Sequence, residues 1–229
     1  MNYWLGLAKS DVAGLGFQVI DSDGQYATSY SFFDTLQKYN PEVIIADGHG
    51  DPSTLTGQGL EEVLKACTNN QVLSGKIVCA VSCLTGQILG PDSRNKNAEA
   101  YIGFVNEFSW VVDESLNPST DQVAYSFQEI IRKMASLTCQ HQQGLIGLND
   151  LYKSFIAEFD KWINYYSVPP GSDSKYASDI LLSLIHDKTG VITLGKAERY
   201  VYPTLPISIP VALPPFVVGG LGLLAIFYL

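Results

Sequence analysis

The stretch EVIIADGHGDPSTLTG, residues 42–57, decides the fold of this chain. It begins as an uninterrupted apolar run and changes abruptly to a segment of charged residues, glycines and His49. A near-continuous apolar run is typical of a strand that helices cover on both faces, as in parallel sheets. The glycines and the proline that follow favour a turn. We therefore predict a buried strand that ends in a loop carrying His49.

A second run of the same kind, KIVCAVS at residues 76–82, ends directly before Cys83. We also predict strands over 2–8, 15–20, 101–112 and 191–195, and helices over 30–40, 59–70, 120–138, 148–166 and 174–187. Two buried strands that alternate with helices indicate parallel pairing. The expected fold is α/β, with a mainly parallel sheet sandwiched between helices and a hydrophobic C-terminal tail.

Composition limits the classes of function. The chain has 229 residues, of which 46% are hydrophobic, and a net charge of -9. A chain of this kind can bury one substantial core. Because no basic cluster is present to neutralise phosphates, we expect no nucleic-acid partner. The four cysteines form no CxxC motif, and the N-terminus does not resemble a secretory signal, so we expect free thiols and a cytoplasmic location.

The C-terminal end differs from the rest of the chain. We expect a domain over residues 1–202 and a Pro-rich hydrophobic tail over residues 203–229, which carries no charge and contains five prolines. A helix after Pro215 would cover only about 22 Å of a hydrocarbon core roughly 30 Å thick. Three interpretations stay open: a membrane anchor, an apolar segment packed on this chain or on a partner protein, and an ordinary buried strand and helix.

The chemistry is expected at the carboxyl ends of the two central strands, where ligand sites of open α/β sheets collect. If the strands are neighbours, His49 and Cys83 come within reach of each other. An imidazole beside a thiol can activate the thiolate as a nucleophile and protonate a leaving amine. The backbone N–H groups of Gly50 and Cys83 could bind a developing oxyanion. Substrate-binding residues cannot be assigned from the sequence.

A metal site is the competing chemical interpretation of the same loop. Asp47, His49 and Asp51 alternate and would share one face if the strand continued through them. The glycines and Pro52 argue for a turn instead. We therefore expect no metal and no cofactor, and we predict that Asp47 is a loop carboxylate that either hydrogen-bonds the backbone or helps to orient His49.

Two motifs carry a resemblance to known proteins: IIADGHG at residues 44–50 and VCAVSCLTG at residues 78–86. The pair resembles the caspase-like cysteine peptidases of clan CD, nearest in motif to gingipain, legumain and CHAT-type domains. The resemblance implies a dyad of His49 and Cys83, oxyanion-hole amides at Gly50 and Cys83, and a substrate-side strand within YIGFVNEFSW. It implies a cysteine endopeptidase with a protein or peptide substrate. The alternative is a catalytically inactive caspase-like structural or assembly protein that associates with a membrane.

Overall fold

The computed structural model describes residues 2–195 and 222–228, without the side chains of Asn2 and of 222–228. Its helices and strands are, in chain order, α1 (Asn2–Gly14), β1 (Phe17–Asp23), α2 (Ser29–Tyr39), β2 (Val43–Gly48), β3 (Thr54–Thr56), β4 (Glu62–Lys65), β5 (Ile77–Ser82), α3 (Leu89–Asn95), β6 (Ala100–Phe104), α4 (Tyr125–Gln142), α5 (Leu148–Ser167), α6 (Ala177–Gly190), β7 (Val191–Gly195) and β8 (Gly222–Tyr228).

Six of these strands form the main sheet, in the order β1-β8-β2-β5-β6-β7. The strands β1, β2, β5 and β6 run in one direction, whereas β7 and β8 run in the other. Helices cover the sheet, so the α/β fold predicted from the sequence is confirmed. The sheet is mixed, and most of its strands share one direction. The strands β3 and β4 form a separate antiparallel hairpin between β2 and β5.

The two central strands were predicted correctly. All residues of β2 and β5 are buried, and the strands pair in parallel. One face of the sheet, here called the α4 face, carries Ile45, Cys79 and Val81 against a core to which α1, α4, α5 and α6 contribute. The opposite face, called the α2 face, carries Ala46 and Ala80 against a core shared with α2, α3 and the hairpin. Burial on both faces explains why the runs are apolar throughout.

The helix α2 also agrees with its prediction, and its ends have local causes. The Thr28 hydroxyl accepts a hydrogen bond from the Ser31 N–H at 3.1 Å, which caps the first turn. Asn40 adopts a left-handed conformation with φ of 49° and terminates the helix before Pro41.

The predicted strand over residues 2–8 is wrong, because these residues belong to α1. Trp4, Leu5, Ala8 and Val12 are buried in the α4-face core, and their spacing is that of one helix face. The side chain of Arg132 in α4 binds both carboxylate oxygens of Asp11 in α1, at 2.7 and 2.8 Å. The first segment of the chain is therefore a helix that packs on the sheet.

The predicted helix over residues 59–70 is also wrong, since β4 lies within it. Thr54 pairs with Lys65 and Leu55 with Leu64 in the hairpin. Leu60 and Cys67 have positive φ, at 65° and 58°, which a continuous helix cannot contain. The predicted strand over residues 101–112 is confirmed only to Phe104, where β6 ends.

Part of the predicted C-terminal tail lies in the sheet. Residues Gly222–Tyr228 form β8, which pairs antiparallel with β1 on one side and with β2 on the other. Residues 203–221 and Leu229 lie outside the described residues. In the described part of the chain, no helix is both long and apolar enough to cross a membrane.

Candidate active site

The loops that follow β2 and β5 leave the sheet side by side. The last registered pair of the two strands is Gly48 with Ser82, and His49 and Cys83 each come one residue later. Neighbouring parallel strands lie about 4.8 Å apart. The structure therefore brings the two predicted catalytic residues to the same edge of the sheet, at adjacent positions.

If strand alternation continues past the ends of β2 and β5, the two side chains lie on one side of the sheet. Ile45 and Val81 pack in the α4-face core, and residues two apart along a strand share a face. Continued by one step beyond each strand, the alternation directs His49 and Cys83 to the α4 face. The thiol of Cys83 contacts the Phe108 carbonyl, and Phe108 belongs to that core, which agrees with this placement.

The His49 loop is fixed by its hydrogen bonds to the hairpin. The carbonyl of His49 accepts from the N–H of Thr56 at 3.0 Å and from its hydroxyl at 3.1 Å. The N–H of Asp51 donates to the carbonyl of Thr54 at 3.0 Å. These bonds lie on either side of the Gly50–Leu55 bridge, so the hairpin does not use the N–H of Gly50. That N–H remains a candidate donor for an oxyanion.

Gly50 is the point at which the two loops touch. A Cβ at this position would lie 2.3 Å from Ser82 Oγ, 2.7 Å from Thr85 Cγ2 and 2.8 Å from the Cys83 carbonyl oxygen. Contacts below 3 Å cannot be accommodated without displacing the loop after β5, which carries Cys83. Glycine at position 50 is therefore a packing requirement that allows the His49 and Cys83 loops to approach each other.

The environment of the Cys83 thiol favours its protonated form. Burial raises the pKa of Cys83 above its ordinary value, and the negative charges of Glu107 and Asp187 raise it further, while backbone hydrogen bonding at Phe108 opposes the rise. The thiol donates to the Phe108 carbonyl over 3.9 Å. Among the described residues, no hydrogen bond joins this thiol to the His49 ring. The structure thus places Cys83 and His49 at adjacent positions without a hydrogen bond between their side chains.

The other cysteines and histidines have separate surroundings. Burial raises the pKa of Cys79 and of Cys139 to about 12, so these thiols are suited to packing rather than to reaction. Nδ1 of His141 lies 3.0 Å from the Ile146 carbonyl oxygen, within its own helix–loop region. Cys79 and Cys139 are both buried.

The carboxylates considered as metal ligands lie in different environments. The prediction of Asp47 as a loop residue is wrong, because Asp47 lies inside β2 and is only 1% exposed. Asp51 lies in the turn, where its Oδ1 accepts from the Ser53 N–H at 2.7 Å and from the Ser53 hydroxyl at 2.9 Å. Across residues 2–195, no group of three His, Cys, Asp or Glu side chains is arranged to hold a metal ion.

Of three further residues near Cys83, only Asp187 has no signal in the sequence, because Phe108 and Ser109 lie in the segment YIGFVNEFSW that the resemblance places beside a substrate. Phe108 follows β6, Ser109 is its neighbour, and Asp187 lies in the last turn of α6. Asp187 is fully buried, and its Oδ1 accepts from the Ser109 N–H at 2.9 Å and from the Ser109 hydroxyl at 3.1 Å. Burial raises the pKa of Asp187 well above its usual range, against the effect of these bonds.

We compared the chain with protein-family models, with curated proteins and with solved structures. No family model matches it, and neither a curated protein nor a solved structure does. Its function is therefore inferred from the residues and their geometry.

Proposed function

We propose that this protein is a cysteine endopeptidase of caspase-like type that uses a dyad of Cys83 and His49. The observation that carries the proposal is the in-register parallel pairing of β2 with β5, which ends at Gly48 and Ser82. This pairing brings a thiol and an imidazole, encoded 34 residues apart, to adjacent positions on one edge. A lone cysteine or histidine at a strand end would carry no such implication.

The geometry supports a conventional acyl-transfer sequence. The sulfur of Cys83 attacks a peptide carbonyl carbon, and the oxyanion that forms is bound by the N–H groups of Gly50 and Cys83. His49 receives the thiol proton and delivers it to the amine nitrogen as the C–N bond breaks. A water molecule then attacks the thioester, gives a proton to His49, and releases the carboxylic acid and the thiol.

The test combines hydrolysis with thiol labelling. The protein is incubated with fluorogenic peptides that have basic, acidic or amide side chains before the cleaved bond, and separately with an electrophilic thiol probe. We expect hydrolysis by the wild type and a loss of about a hundredfold or more in Cys83→Ala and His49→Ala. The matched controls Cys67→Ala and His141→Ala should retain activity. Labelling of Cys83 that is unchanged by His49→Ala contradicts the proposal.

A second candidate function has its own support in the structure. The Cys83 thiol is bound to the Phe108 carbonyl, and its surroundings favour the protonated form. These features fit a caspase-like module that serves in structure or assembly without catalysis. In that case no peptide of the panel is cleaved, and Cys83→Ala leaves the folded protein unchanged in every measured property except thiol labelling.

A further inference from the structure

The segment over residues 105–109, here called the latch segment, lies between the nucleophile loop and the end of α6. On one side, the N–H of Leu84 donates to the Asn106 carbonyl at 3.0 Å, and the amide of Gln87 donates to the Val105 carbonyl at 2.7 Å. On the other side it bonds to the last turn of α6 and the residues beside it: Val105 N–H to Gly190 O, Asn106 Nδ2 to His186 O and to Thr189 Oγ1, Glu107 O with His186 Nε2, and Ser109 N–H and Oγ to Asp187 Oδ1.

One peptide group of this segment links Cys83 to Asp187. The carbonyl of Phe108 accepts from the Cys83 thiol, and the N–H of Ser109 in the same peptide group donates to Asp187. In a trans peptide the C=O and N–H point in opposite directions. Cys83 and Asp187 therefore form hydrogen bonds with opposite edges of the same planar peptide group. Donation of the N–H to Oδ1 of Asp187 also polarises the peptide group and strengthens its carbonyl as an acceptor.

Asp187 carries a carboxyl group whose burial at this position is energetically unfavourable. Its side chain has no solvent exposure, and among the described residues its Oδ2 has no hydrogen-bond partner. A buried carboxyl group of this kind lowers stability unless its bonds compensate. Both of the side-chain bonds it makes go to one residue, Ser109, directly after Phe108.

We propose that Asp187 is a positioning residue that orients the Phe108–Ser109 peptide group beside Cys83 and so restricts access to the partly exposed Cys83. The inference concerns the regulation of the site in the proposed function and rests on that function. Phe108 is 4% exposed and its ring packs on Phe104, with centroids 4.9 Å apart, so the segment is packed into the core. Access to the sulfur increases when the peptide group turns away, and Asp187 opposes that movement.

The test is the rate at which iodoacetamide alkylates Cys83, measured by peptide mass spectrometry from neutral to alkaline pH. At high pH the thiol is fully ionised and no longer donates to the Phe108 carbonyl, so the plateau rate reports the access to the sulfur that the bonds of Asp187 and Ser109 leave, whereas the midpoint reports the pKa of Cys83. Asp187→Ala should raise the plateau about tenfold, the change expected when two buried hydrogen bonds are lost. Ser109→Ala, which loses only the hydroxyl bond, should raise it about fivefold, and Ser109→Thr should restore the wild-type plateau.

Two controls separate position from charge. Glu107→Gln removes a nearby negative charge without removing a bond of the latch segment, so it should lower the midpoint and leave the plateau unchanged. The exposed Cys67 in the same samples should react at one rate in all variants. If Asp187→Ala does not fold, the plateau rates of Ser109→Ala and Ser109→Thr test the proposal without it.

A plateau for Ser109→Ala that equals the wild-type plateau, or a Ser109→Thr variant as fast as Ser109→Ala, overturns the proposal. The outcome is independent of catalysis, because alkylation is measured without substrate. Repeating the Ser109 pair in a His49→Ala background should give the same ratio of plateaus. If the peptidase proposal is wrong, the ratio of the two plateaus is unchanged. If the latch segment does not restrict access to the sulfur, the two plateaus are equal.

Discussion

At the scale of single residues, Gly50 shows how closely the two functional loops approach. The space that a side chain at this position would need is occupied by Ser82 and the backbone of Cys83. A loop that carried any larger residue here would be pushed away from the nucleophile. The proximity of His49 to Cys83 thus depends on a residue that takes no part in proton transfer.

Substitution of Gly50 by alanine should destabilise the protein by about 1–3 kcal/mol, the usual effect of overpacking a filled site. It should also reduce any activity that requires His49 and Cys83 together. Urea unfolding measures the free energy of unfolding. The matched control is Gly6→Ala in α1, where a Cβ meets nothing within 4 Å; there alanine should be neutral or stabilising by roughly 0.5–1 kcal/mol. Equal effects at both positions would contradict the packing account.

The sequence indicates some of the residues at this edge of the sheet and gives no sign of others. His49 and Cys83 could be found because each follows an apolar run that is long enough to be recognised as a buried strand. Asp187 could not, since it contacts a segment 78 residues earlier in the chain. Local patterns report strand ends, whereas contacts between a helix end and a distant loop depend on how the layers are assembled.

At the scale of elements, Asp92 in α3 connects that helix to the loop after the hairpin. Its Oδ2 accepts from the N–H of Cys67 at 2.7 Å and from the amide of Asn70 at 2.9 Å, and it pairs with the ammonium of Lys96 at 3.0 Å. Partial burial alone would raise the pKa of Asp92, but these donors outweigh it and lower the pKa from 3.8 to about 2.

This shift fixes the sign of a pH dependence. Because the folded-state pKa lies below the unfolded value, the carboxylate stabilises the fold at neutral pH, and the contribution disappears as the pH falls from about 4 towards 2. Asp92→Asn should therefore cost about 1–2 kcal/mol at neutral pH and less in acid. Urea unfolding at several pH values measures the difference. The exposed Asp34 in α2 supplies the control Asp34→Asn, and a pH-independent cost at Asp92 would contradict the assignment.

The two mispredicted elements failed for different physical reasons. Residues 2–8 contain aromatic and aliphatic side chains that resemble a short strand, and the helical spacing becomes visible only when Val12 is included. Residues 59–70 have a helical pattern, yet Val63 and Leu64, adjacent in sequence, are both buried in the hairpin. There, pairing with β3 overrides local propensity. The helices α2, α4, α5 and α6 were predictable because their amphipathic pattern is long and uninterrupted.

At the scale of the whole molecule, the sheet is completed from the C-terminal end of the chain. The strand β8 separates β1 from β2, so the first strand is attached to the rest of the sheet through residues 222–228. The sequence of this segment is apolar, as is typical of strands in the interior of a helix-covered sheet. The sequence left this outcome open as one of three, since composition cannot distinguish a central strand from a membrane segment.

Proline at position 225 tests the central location of β8 through the backbone alone. Ala225 is paired with Ile20 on one side and with Ile44 on the other. Proline removes the ladder N–H and should cost about 3 kcal/mol or more. The control Ala225→Gly keeps the N–H and should cost about 1 kcal/mol or less. Urea unfolding measures both, and equal midpoints for the two variants would contradict the placement of β8.

The account as a whole depends on the adjacency of residues 49 and 83, and cross-linking measures it most directly. His49→Cys is oxidised, and the disulfide pattern is mapped by mass spectrometry, with His49→Cys/Cys83→Ser and Asp51→Cys as controls. A disulfide requires Cα atoms about 4.4–6.8 Å apart. We expect a bond between residues 49 and 83 in high yield, with little cross-linking of Asp51→Cys to Cys83. If both thiols of His49→Cys stay free under oxidation, the two loops do not meet.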